Sequence, residues 1–97
     1  MRHFFRTQLV PTDVLRVADE FFPALPLERT AHTARSRTYS GLLGTLNLSV
    51  KKEGGHYTFV QIQTDQIGES RLDRNAKRFF VRLHRVSDPS HRLLAAY

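Results

Sequence analysis

Five histidines, His3, His32, His56, His84 and His91, are the side chains best suited to metal or acid–base chemistry. No two share the i, i+4 spacing that sets paired imidazoles on one helical face, and no cysteine is present to complete a ligand set. They read as surface or half-buried imidazoles, with no metal and no cofactor implied. Asp65 and Glu69 bracket Ile67 and Gly68. Paired carboxylates work as acid and base when their surroundings separate their pKa values. Just ahead of a helix, they read instead as solvated groups that favour its positive end. Ser36, Ser40, Ser49, Ser70, Ser87 and Ser90 include no Gly-x-Ser-x-Gly nucleophile elbow. No catalytic residue is assigned, and a non-enzymatic protein is expected.

Two short spellings carry little chemistry. Gly41-Leu-Leu-Gly44 matches the GXXG loop with which KH domains grip nucleic-acid backbone. A working loop joins two helices and usually carries a basic residue, whereas this one leads into a strand. It reads as a glycine-bounded turn. Asn47-Leu48-Ser49 spells a glycosylation sequon, but nothing in the sequence suggests secretion.

The most informative stretch is Ser70 to Val86, SRLDRNAKRFFVRLHRV. Leu72, Ala76, Phe79, Phe80 and Leu83 fall at offsets 0, +4, +7, +8 and +11, the apolar stripe of an amphipathic helix. Arg71, Arg74, Lys77, Arg78, Arg82 and Arg85 occupy the other side against one acid, Asp73. Arginine's planar fork suits carboxylate and phosphate, so this face is the candidate docking surface for an anionic partner. Arg35, Arg37, Lys51 and Lys52 are secondary candidates. The alternative is a solvated face, and a high-GC genome enriches arginine without any binding role.

The elements that must position this face follow from the rest of the chain. Ninety-seven residues make one domain, residues 1–97, with 88–97 as a short tail. The apolar fraction is 40% and the net charge +6, with twelve arginines to three lysines. No apolar run approaches the roughly 20 residues needed to cross a bilayer, and no secretory leader is read. A cytoplasmic location is expected.

HFFRTQLV (3–10) reads as a strand. Thr12 or Asp13 then caps a helix over about 13–22, stopped by Pro23 and Pro26. PALPLE (23–28) is a connector. RTAHTARSRTY, from Arg29, is polar enough for an exposed edge strand, with a disordered loop as the alternative. TLNLSV alternates apolar and polar residues as a half-buried strand. KKEGG (51–55) turns the chain into HYTFVQIQT, whose apolar parity changes between Phe59 and Val60. That change implies a bulge or a strand covered on both faces. Ser70 is the N-cap of the last helix, with Asp73 in the capping-box position. The rival reading makes FFVRLHRV a strand. The resulting order is β-α-β-β-β-α, an α+β fold with an antiparallel sheet covered on one face by two helices.

This order, carried by LVPTDVLRVADEFFPALP (9–26) and RNAKRFFVRLHRV (74–86), resembles the helix-grip (START-like) superfamily. The resemblance implies a last helix closing a curved sheet over an apolar cavity for a hydrophobic ligand. Phe21, Tyr57, Phe59, Phe79, Phe80 and Leu83 would then line the pocket. The family's sheet is larger than the roughly four strands read here, so two copies completing one layer, a homodimer, is a further implication.

Three functions are therefore expected, in this order. The first is an accessory protein docking an acidic protein through its arginine face. The second is a small carrier of hydrophobic ligands. The third is a nucleic-acid-binding module, for which Tyr57 and Phe59 on an exposed sheet would supply stacking. Membrane insertion would require the last helix to leave its own sheet.

Overall fold

The computed structural model describes residues 1–87. Its elements are β1 (Arg2–Thr7), α1 (Pro11–Phe21), a single 3-10 turn (Phe22–Ala24), β2 (Leu27–Thr33), β3 (Ser36–Gly41), β4 (Gly44–Glu53), β5 (Tyr57–Thr64) and α2 (Arg71–Ser87). The five strands form one antiparallel sheet in the order β1-β5-β4-β3-β2. The fold is α+β, and the C-terminal helix is the longer of the two. The expected tail, with His91, Ser90 and the Asp88-Pro89 stop, lies outside the described residues.

One strand more is present than the sequence pattern predicts. RTAHTARSRTY is not a single edge strand: it folds back at Ala34-Arg35 to give β2 and β3. β2 is one of the two edge strands and is mostly exposed, and its register shifts between Arg29 and Ala31. The start of the first helix also differs. Pro11 occupies the first turn, where its missing N–H costs nothing, and Val10 is the N-cap without a side-chain bond. Neither Thr12 nor Asp13 caps. The rival strand over FFVRLHRV is overturned, because all of it lies within α2.

Both helices pack on one face of the sheet. Val14, Leu15, Val17 and Ala18 of α1 and Leu72, Ala76, Phe79, Phe80 and Leu83 of α2 share a core with Tyr39, Leu46, Leu48, Val50, Val60 and Ile62. Burial of roughly 1.5–3 kcal/mol per large side chain holds this layer together. The Phe22 ring lies 5.0 Å from both Tyr39 and Phe79, and Phe5 stacks on Phe80 at 5.1 Å. Aromatic rings thus fill the space under α2.

The parity change in β5 needs no bulge. β4 and β5 pair without a register shift from Leu46↔Thr64 to Glu53↔Tyr57. Thr58, Val60, Ile62 and Thr64 face the helices. Tyr57 and Phe59 point to the other side, where Phe59 stacks on Phe4 at 5.5 Å. Phe59 is half-buried there by the side chains of Phe4 and Arg6, the latter with its Cζ 4.9 Å from the ring centroid.

Candidate functional site

α2 is fixed at its start by a polar cluster. Ser70 caps it: the Asp73 N–H donates to Ser70 Oγ at 3.1 Å, and Ser70 Oγ–H returns a bond to Asp73 Oδ2 at 2.6 Å. A longer Glu would reach back to the cap's backbone N–H; the shorter Asp meets the hydroxyl instead. Asp73 is fully buried, and its Oδ1 also accepts from His3 Nε2 at 2.7 Å and Thr64 Oγ1 at 2.8 Å. Burial alone would raise its pKa. The bonds from Ser70, His3 and Thr64, with attraction to His3, overcome that and hold it down at about 2.

This is a Ser, a His and an Asp in contact, but not in catalytic order. Both Ser70 and His3 bond to the carboxylate, so no imidazole is placed to take the hydroxyl proton. The cluster anchors the helix to β1 and β5.

The other chemical candidates disperse. Glu69 pairs with Lys77, which lowers its pKa, and Asp65 is lowered by bonds from the Thr45 N–H and Gln66. Both are pulled toward ionisation, the opposite of what a general acid requires. Among the described residues no group of three His, Asp or Glu side chains is placed to hold a metal. Gly41-Leu-Leu-Gly44 is the β3–β4 turn: Gly44 takes φ 124°, Leu42 projects into solvent and Leu43 packs against the core.

The arginines come together. With 3.6 residues per turn, Arg71, Arg74, Arg78, Arg82 and Arg85 project into a sector of about 80° and extend about 21 Å along the helix. All five are exposed, on the side turned away from the buried stripe. Arg6, Arg16, Arg29, Arg37 and Lys77 each have a carboxylate within 4.0 Å. None of the five does among the described residues, although Glu69 attracts Arg74 at longer range. Lys77, paired with Glu69, stands outside the row. Of the secondary candidates, Arg37 is engaged by Asp19, Arg35 lies in the β2–β3 turn, and Lys51 and Lys52 lie near the end of β4.

Two shallow depressions lie along this row. One, of about 240 Å³, is lined by Arg71, Arg74, Asn75 and Arg78. The second, of about 330 Å³, is lined by Phe21, Val81, Arg78, Arg82 and Arg85. Val81 is half-exposed there, so apolar surface lies among the guanidiniums. Sequence periodicity placed the arginines. It missed the apolar notch, because Phe21 belongs to a different helix.

The six residues expected to line one ligand pocket are not brought together. Phe79, Phe80 and Leu83 are in the core, with Phe21 at its margin 5.7 Å from Phe79. Tyr57 and Phe59 lie across the sheet from them. A strand's alternation puts successive residues on opposite faces, and Thr58 and Val60 take the inner one. Searches against protein-family models and curated proteins give no match to this chain. Among the described residues no helix is long and apolar enough to cross a membrane.

Proposed function

We propose that this chain is a non-enzymatic accessory protein that docks an acidic protein surface through the arginine row of α2. One observation carries the reading: five exposed arginines without close carboxylate partners among the described residues form one row, and three of them, Arg78, Arg82 and Arg85, flank the Phe21–Val81 notch. Arginine beside exposed apolar surface is the composition of protein interfaces, where charge steers the encounter and a buried apolar contact holds it. A purely electrostatic surface would not require the notch. Arg71, Arg74 and Arg78 would receive carboxylates, and Arg82 and Arg85 would border an apolar anchor from the partner.

The test is capture from native extract at mild salt, comparing the wild type with the double variant Arg74→Glu/Arg78→Glu. An acidic protein enriched by the wild type and lost by the variant supports the reading. Equal capture by both, or no specific companion, removes it.

A further inference from the structure

We infer that the open face of the sheet, opposite the helices, binds single-stranded nucleic acid through Phe4, Phe59 and Tyr57. This inference is independent of the arginine row, since α2 covers the other side of the sheet. Among the described residues no element packs over this face.

Its central corner is aromatic and cationic. Phe4 is 54% exposed and Tyr57 46%. Phe4 stacks on Phe59 with an angle of 22° between the rings, and Arg6 Cζ lies 4.9 Å from the Phe59 centroid. The pair is therefore held as a ready platform rather than as two loose rings. Base–aromatic stacking tolerates any sequence because every base offers a π-face.

The surrounding positions supply the other parts of such a site. Arg2 and Arg6 flank Phe4 on the same strand face, about 7 Å to either side. Lys51 stands opposite Phe59 on β4. A base stacked on Phe4 would carry its phosphates toward these cations. Gln61, Gln63, Asn47 and Ser49 lie on the same face, which continues toward β3 through Ser36, Thr38 and Ser40, and amides and hydroxyls can both donate to and accept from base edges. The acid at this corner is Glu53, which holds Arg6 at 2.8 Å. Both partners are exposed, so a phosphate can compete for the guanidinium.

A second copy of the chain fits less well. Pairing this face with itself would bury many amides and hydroxyls and bring Arg2, Arg6 and Lys51 near their own counterparts. A neutral polysaccharide would leave the three cations without a role.

Fluorescence anisotropy with a short labelled oligouridine tests the inference. Saturable binding is expected, with log K falling against log salt at a slope of about −2 for three phosphate contacts. Phe4→Ala and Phe59→Ala should each weaken it between about fivefold and a hundredfold. The Arg74→Gln/Arg78→Gln variant should lose less than either. Should an aromatic variant fail to fold, amide shift changes in the wild type decide instead: β1 and β5 support the site, α2 overturns it. No saturable binding, binding indifferent to Phe4 and Phe59 in folded variants, or a homodimer dissolved by Phe4→Ala overturns it equally.

Discussion

His3 and Asp73 are seventy positions apart, yet Nε2 of one lies 2.7 Å from Oδ1 of the other, joining the first strand to the first turn of the last helix. Asp73 is 0% exposed, and among the described residues three side-chain donors sustain an ionised carboxylate there. Replacing it leaves those donors facing a poorer acceptor. Asp73→Asn should lose about 3 kcal/mol in urea unfolding, since each bond to a buried charged acceptor is worth about 1.5–3 kcal/mol. Thr64→Val, which removes one donor of three, should lose about 1 kcal/mol.

Acid should erase that difference. The Asp73 pKa falls from 3.8 to about 2 in the folded protein. A depressed carboxylate contributes stability above its unfolded pKa and loses it as pH drops through the folded one. The gap between the wild type and Asp73→Asn should be full above pH 4 and close progressively toward pH 2. A gap independent of pH across that window would mean that the carboxylate's charge does not stabilise the fold.

How much of this was legible varies by element. The stripe Leu72, Ala76, Phe79, Phe80 and Leu83 is wholly buried, because a long helix reports its environment through a period that chance rarely imitates. The β4–β5 hairpin was legible from the alternation of Leu46, Leu48 and Val50 and from its two glycines, but Lys51–Glu53, read as turn, extend β4, and the parity change at Phe59 reflects no bulge. β2 and β3 were not. Their polar residues give no period, and Tyr39, fully buried, owes its place partly to Asp19 twenty residues earlier. The arginine row could be read along one helix. The notch beside it, and the Phe4–Phe59 platform across two strands, depend on contacts that sequence spacing does not encode.

Gly41 occupies a position where the backbone of β2 comes too close for any side chain. A Cβ there would meet the Pro26 carbonyl oxygen at 2.0 Å and the Leu27 Cα at 3.1 Å. Backbone cannot swing aside as a side chain can, so Gly41→Ala must part β3 from β2. A loss of about 2–3 kcal/mol is expected, in the range of core overpacking. Gly54→Ala has open space around it and pays only for its φ of 44°, so it should cost about 1 kcal/mol or less. Thermal melts of the two variants compare steric exclusion with backbone strain directly.

The arginine row should be nearly silent in stability. Its members face solvent and have no carboxylate within 4.0 Å among the described residues, so removing them breaks no described ion pair. Arg78→Ala and Arg82→Ala should each change unfolding free energy by no more than about 0.5 kcal/mol. A loss well beyond that would show the guanidiniums stabilising α2 itself, and would weaken the case for reserving them for a partner.

Tyr39 gives an alkaline counterpart to Asp73. Its hydroxyl donates to Asp19 Oδ1 at 2.7 Å, and Asp19 also accepts from Arg37 and Arg29. Burial, then the bond to Asp19 and that carboxylate's charge, push the phenol well above the ordinary tyrosine range. A raised pKa contributes stability that is complete below the unfolded value of about 10 and is lost as pH climbs beyond it. Wild-type unfolding free energy should therefore fall above pH 10, where the unfolded chain releases a proton that the folded chain keeps. In Tyr39→Phe this part of the slope should vanish, at a cost near neutrality of about 1 kcal/mol for the lost bond. Absorbance at the phenolate band gives an independent reading. One tyrosine should ionise only as the wild type unfolds, and that late step should be missing from the variant. If the late step persists in Tyr39→Phe, the protected phenol is another tyrosine and the Asp19 bond is not what protects it.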